Sequence, residues 1–248
     1  EYDSSFALQI FAAREAVFKI LAKESLSIHE KLIVILDMGS KIQQCINTDE
    51  YDNIKSVVND YLKEGIAHTL DETRNLSDSG QFEDISLQQG IRQILYPYEE
   101  MEVLNPEWEV ILKDIIDSLF EQMSDEEYNI LNEEFGTYMV SRAYEYRQLL
   151  EYLVFRYFAK SIYDYDFLGK CQMLVTNFFV IRQMDIIRWL DNHREYSFKD
   201  RMDVVHIFSR QVEYSEDNIE NLYEDFIFDD IFKTDSLIAI LWIDSENI

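Results

Sequence analysis

Apolar residues recur along most of this chain at three- and four-residue steps, and the clearest stretch runs from Tyr138 to Leu190. Tyr146, Leu149, Leu150, Leu153, Val154, Tyr157 and Ile162 fall on one broad stripe, the period of a helix with a single buried face. The spacing predicts a helix over 138–163 and a second over 167–191, joined at Tyr163-Asp-Tyr-Asp-Phe-Leu-Gly169. The second helix is apolar nearly all round: Cys171, Val175, Phe178 and Trp189 share one face, Met173, Val180, Met184 and Ile187 the other. Such a helix is expected at the centre of a fold. At ~1.5 Å per residue each arm would approach ~40 Å, against a radius of gyration near ~18 Å for a domain of this length. The expected architecture is therefore all-α, an irregular multi-helix bundle built on a long central antiparallel helical hairpin. Arg182 and Asp185 interrupt the apolar stripe three residues apart, a spacing that lets them pair along the helix.

The same periodicity places further helices around the hairpin. Phe6, Ile10, Ala13, Val17 and Leu21 mark one over 5–23, and Ser27-Ile-His-Glu30 is a capping-box pattern opening another through Cys45. Ile54, Val57, Val58, Tyr61 and Ile66 predict a helix over 49–70. Residues 71–85 lose the period and turn polar, which reads as a linker between sub-blocks 1–70 and 86–248 of a single helical domain. Ser86 restarts a helix that is expected to stop near Pro97, and Asn105-Pro106 pairs a good N-cap with proline at the first helical position. Ser124-Asp-Glu-Glu127 and Ser197-Phe-Lys-Asp200 open two more, and a further helix is predicted over 216–228. The apolar run Leu237–Ile243 fits a short helix or a strand.

Composition narrows the class. Only 6 Gly and 2 Pro among 248 residues leave few turn-formers, in keeping with helices rather than sheets. The net charge of −27 sets the chain against nucleic acid and anionic lipid, both of which call for clustered Lys and Arg. A run of acids from Glu99 to Glu134, with Lys113 as its one base, makes either a solvated face or a docking surface for a basic partner. Cys45 and Cys171 stand far apart in apolar surroundings and build neither a metal set nor a disulfide framework, which suggests buried thiols in a reducing cytoplasm. No apolar run approaches the length of a membrane span, and no secretory leader pattern opens the chain. A first residue of Glu1 suggests a piece of something longer.

Catalytic signatures are sparse. Paired Glu-x-x-His motifs for a di-iron bundle, a glycine-rich phosphate loop, a His-Glu-x-x-His helix and a Gly-x-Ser-x-Gly elbow are all missing. His68, four residues after Glu64, has a spacing a metal could use, although a solvated pair is the plainer reading. Asp203, His206 and Arg210 fall at helical spacing, with His206 expected among the core residues Met202, Val205 and Phe208.

Two stretches carry a resemblance. Tyr152-Leu-Val-Phe-Arg-Tyr-Phe-Ala-Lys-Ser-Ile-Tyr-Asp164, with Gly169-Lys-Cys-Gln-Met-Leu-Val-Thr-Asn177, resembles the C-terminal region of the flagellin lysine-N-methylase family. Ile207-Phe-Ser-Arg-Gln-Val-Glu-Tyr-Ser-Glu-Asp-Asn218 does so too, with Ser209, Arg210 and Glu213 matching a Ser-Arg-x-x-Glu core and Tyr214 standing where the family often has His. The helix pair Phe11–Ile46 is similar to the segment after the family's cysteine-rich part. The resemblance implies a bacterial protein that methylates lysines of flagellin from S-adenosylmethionine. It also implies an iron–sulfur cluster in a cysteine-rich half that has no counterpart in this sequence. On that reading the chain is a substrate-binding or structural part, inactive alone and without cofactor of its own, and its candidate substrate-binding residues are Arg182, Asp185, His206, Arg210 and Glu213. The competing expectation is a non-enzymatic helical module for ligand sensing or dimerisation in a regulator.

Overall fold

Helices begin where the sequence offers caps. In a computed structural model describing residues 4–246, α1 (Ser4–Leu21) is followed by α2 (Ile28–Asn47), which opens on a complete capping box. Ser27 Oγ accepts the Glu30 amide at 3.1 Å, and the Glu30 carboxylate accepts the Ser27 amide at 2.7 Å. Next come α3 (Ile54–Asp60) and α4 (Ile66–Asp78), joined through a π-helical turn, Tyr61–Gly65. Ser86 caps α5 (Leu87–Glu99), and Asn105 with Pro106 opens α6 (Pro106–Ile115), which winds into a second π turn, Ile116–Glu121. Ser124 and Glu127 exchange capping bonds at the start of α7 (Asp125–Met139). Then follow α8 (Ala143–Tyr157), α9 (Ser161–Asp164), α10 (Phe167–Asp191), α11 (Phe198–Phe208), a third π turn at Ser209–Glu213, α12 (Glu216–Phe228) and α13 (Thr234–Glu246). No strand occurs among the described residues, and the fold is all-α.

Several boundaries differ from the sequence reading. The expected first arm, 138–163, is broken by 3-10 turns at Val140–Arg142 and Phe158–Lys160. No Gly or Pro lies at either break, so composition gave no warning. The polar stretch read as a linker over 71–85 is helical as far as Asp78. Its inner face is fixed by Thr69, Leu70 and Thr73, which are buried, and its polar residues are the solvated side of the same helix. Helix α5 runs through Pro97 to Glu99, and Leu237–Ile243 lies within a helix.

The chain forms two compact units. The first takes residues 4–84, 139–175 and 234–246. Within it α13 lies along α2, and Asp244 meets His29 Nε2 at 2.6 Å beside the N-terminus of α2, where the helix dipole favours a carboxylate. Asp37 of α2 accepts hydrogen bonds from Tyr61, at the start of the first π turn, and from Thr69 Oγ1 at 2.6 Å. Burial and that carboxylate push the Tyr61 hydroxyl well above its ordinary pKa. Gly39 lets α2 meet α10 closely: a Cβ there would stand 2.5 Å from Cys171 Sγ. Lys170 is 1% exposed and holds Asp164 at 2.7 Å and Asp166 at 3.5 Å.

The second unit takes 85–138 and 176–233, including α10 from Thr176 onward. Ahead of its last turn that part of α10 is apolar except for a ladder of buried polar residues, and tyrosines satisfy several of them. Tyr98 donates to Asn177 Oδ1 at 2.8 Å, and Tyr128 donates to Gln183 Oε1 at 3.0 Å. Burial holds the Tyr98 hydroxyl well above its usual pKa. Tyr196 donates to Asp185, which also takes the Arg201 guanidinium at 2.5 Å.

Candidate functional site

Three helices of the second unit each turn one face into a cleft of about 650 Å³. From α6 come Glu107, Val110, Ile111 and Asp114, at the i, i+3, i+4, i+7 positions of one helical face. Helix α11 and the π turn after it supply Asp203, His206, Ile207 and Arg210 at the same spacing. The C-terminal turn of α10 adds Ile187, Arg188 and Asp191. Ile111, Ile187 and Ile207 are buried and make an aliphatic floor, while the exposed Glu107, Asp114 and Asp191 and the half-buried Asp203 make an acidic rim. Four carboxylates face two guanidiniums, so the cleft favours a cationic group.

The mouth of the cleft is fixed by residues that chemistry-led motif reading passes over. Asn105 caps α6 through its Oδ1, which accepts the Glu107 amide at 3.2 Å. Loop 102–105 ahead of it is held by two buried side-chain amides, Gln211 within the π turn Ser209–Glu213 and Asn218 of α12. Gln211 Oε1 accepts the Leu104 amide at 2.9 Å and the Asn105 amide at 3.3 Å, and its Nε2 donates to the Glu102 carbonyl at 2.7 Å. Asn218 Oδ1 accepts the Glu102 amide at 3.0 Å, and its Nδ2 donates to the Glu102 carbonyl at 3.0 Å and the Gln211 carbonyl at 3.1 Å. The π turn Ser209–Glu213 makes this clamp possible, placing Gln211 inward and Arg210 outward on the cleft. Such turns are frequent at functional sites.

The five sequence candidates separate into an exposed pair and an interior trio. His206 and Arg210 meet on the cleft wall. His206 is exposed rather than a core histidine, and Met202 beside it is 52% exposed: the buried face of α11 is Arg201, Val204, Ile207 and Phe208. Arg182 and Asp185 are buried. Arg182 donates to Asn132 Oδ1 and, at 3.3 Å, to the Asn132 carbonyl, with its guanidinium carbon 5.5 Å from the centre of the Phe135 ring. Asp185 belongs with Tyr196 and Arg201. Glu213 is buried at the end of the π turn, where Ser209 Oγ approaches its carboxylate at 3.5 Å. The matched Ser209, Arg210 and Glu213 thus bracket the turn that carries the Gln211 clamp.

The cysteines do not fit an iron–sulfur cluster, which takes several thiolates around one centre. Cys45 and Cys171 are both buried, and burial pushes both thiols up, Cys171 well up. Among the described residues no group of three or more His, Cys, Asp or Glu could hold a metal ion. Nor, among the described residues, does a glycine-lined turn for a nucleotide open a helix: Gly39, Gly90, Gly136 and Gly169 lie within α-helices, Gly65 within a π turn, and Gly80 in the turn that follows α4. Among the described residues no helix is long and apolar enough to cross a membrane.

No curated protein and no solved structure matches this chain. A family model does. The model of the FliB lysine N-methylase C-terminal domain matches residues 14–240, taking in α2, both walls of the cleft, the π turn with its clamp and most of α13. Covering nearly the whole sequence, this match establishes that the chain belongs to the FliB lysine N-methylase C-terminal domain family.

Proposed function

We propose that this chain is the acceptor-binding part of a cytoplasmic, S-adenosylmethionine-dependent lysine methylase acting on flagellin, and that the α6–α10–α11 cleft receives a lysine-bearing segment of the acceptor. The observation that carries this reading is the acidic rim over an aliphatic floor. A lysine lays its methylene stem on apolar surface while its ammonium seeks carboxylates, and the cleft offers Ile111, Ile187 and Ile207 below Glu107, Asp114 and Asp203. The net charge of −27 adds a long-range pull on a cationic segment. In this proposal the chain binds and orients the acceptor, and neither the methyl donor nor the cluster is assigned to its residues.

The test is a titration of flagellin onto the chain at low and at high salt, with the Asp114→Asn/Asp203→Asn variant alongside. Binding should weaken as salt rises, since charges at an exposed rim are screened. The double variant should bind on the order of fivefold more weakly at low salt, as expected for two solvent-accessible ion pairs of ~0.5 kcal/mol each. No binding at either salt level would overturn the reading in favour of a sensing module. Binding indifferent to both salt and the substitutions would remove the cleft from it.

A further inference from the structure

A second cleft of the same unit, about 510 Å³, is built to hold a cation and already holds one of the chain's own. Its first wall is a single face of α7, where Ile130, Glu133, Glu134, Thr137 and Tyr138 fall at helical spacing. Its second wall is Trp189, near the end of α10, backed by the buried Phe135 ring at 5.5 Å and flanked by the Tyr138 ring at 5.6 Å, tilted by 49°. Over the indole stands Arg194, its guanidinium carbon 5.2 Å from the ring centre and its Nη1 2.8 Å from Glu134. An aromatic face, a second ring at an angle and an adjacent carboxylate make the arrangement by which proteins hold quaternary and methylated ammonium groups.

Arg194 reaches this position through an unusual backbone. His193 and Arg194 both have positive φ, 56° and 66°, in the left-handed region that residues with side chains avoid. The Arg194 amide closes the turn on the Trp189 carbonyl at 2.7 Å, folding the arginine back over the ring at the end of its own helix. The Arg194 side chain is nevertheless 55% exposed. Moving it aside would uncover the face of Trp189, which is 3% exposed with the arginine in place. The Trp189 indole N–H is buried without a hydrogen-bond partner, so packing rather than its polar edge fixes the ring.

We infer that the Trp189 cleft binds a methylated lysine side chain, with Arg194 as an internal stand-in that the ligand displaces. A methylated ammonium is bulky and gives up little hydration on entering, so ring faces hold it well. An unmodified ammonium is compact and strongly hydrated and gains less. That the cleft takes a cation follows from its own geometry; that the cation is a methylated lysine rests on the lysine-methylase reading. The chain would then recognise the product of that reaction as well as its acceptor.

The test titrates N-acetyl-trimethyllysine methyl ester, its unmodified lysine counterpart and tetramethylammonium into the chain, following the Trp189 indole resonance by NMR, assigned with Trp189→Phe. Trimethyllysine should move that resonance and bind about tenfold tighter than unmodified lysine. Arg194→Ala should tighten it a further several-fold by removing the internal competitor, and Glu134→Gln should loosen it several-fold. Trimethyllysine binding no tighter than lysine, or an Arg194→Ala variant no tighter than the parent chain, would overturn the site. Tetramethylammonium binding as tightly as trimethyllysine would overturn the lysine assignment. Failure of the flagellin titration with this result intact would overturn the acceptor reading and leave the Trp189 site standing on its own measurement, and the reverse outcome would sink only this site.

Discussion

Replacing Arg201 with methionine should destabilise the chain by about 3 kcal/mol, the scale expected when one partner of a buried ion pair is removed. Asp185 is fully buried and the Arg201 guanidinium lies 2.5 Å from it, with exposures of 0% and 6% for the two side chains. Methionine keeps much of the volume, so the loss would come from a carboxylate left in the interior with less to hold it. Tyr196 continues to donate to Asp185, which limits the damage. Urea denaturation of the two forms measures the difference. A loss below about 1 kcal/mol would show that the pair matters no more than an exposed one.

The second large effect is expected at Gln211. Its side chain makes three hydrogen bonds to loop 102–105, and Gln211→Met removes all of them at similar volume. The part-buried amide of Leu104 and the buried amide of Asn105 then lose their acceptor, at a cost of about 2–4 kcal/mol for groups left unsatisfied. The loop carries the N-cap of α6, so the first turn of that helix should fray and the acidic wall of the cleft with it. Urea denaturation should report the stability loss, and hydrogen exchange should speed up over 104–110 before the global transition. Unchanged exchange there, at a full loss of stability, would mean that the clamp supports the fold without shaping the cleft.

Much of the helical frame was legible because the signals were local. Four serines followed three residues later by an acceptor or donor (Ser27, Ser86, Ser124 and Ser197) each open a helix, and Asn105-Pro106 opens another. The all-apolar circumference of 167–191 correctly marked a buried helix. Errors arose where tertiary contact overrode composition. A polar run is helical because Thr69, Leu70 and Thr73 anchor its other side, and the 138–163 arm breaks at residues with ordinary helix propensity.

The candidate sites were half legible for a related reason. His206 and Arg210 could be placed on one helix face, yet Glu107, Asp114 and Asp191, which line the same cleft, come from two other helices, and no spacing rule spans such distances. Gln211 and Asn218 look like ordinary polar residues until the π turn directs them at loop 102–105. Arg201, which meets Asp185 at 2.5 Å, sits 16 residues away across a turn, beyond the reach of any spacing rule within one helix. The aromatic cleft is not legible in the sequence, because Trp189 belongs to the apolar face of α10 and Arg194 falls beyond the end of that helix.

The most direct test of the central claim is hydrogen exchange of the chain with and without saturating flagellin. Entry of a lysine-bearing segment into the α6–α10–α11 cleft predicts slowed exchange confined to 105–114, 187–191 and 203–210. Binding that leaves those three stretches unprotected, with any protection elsewhere on the chain, would contradict it.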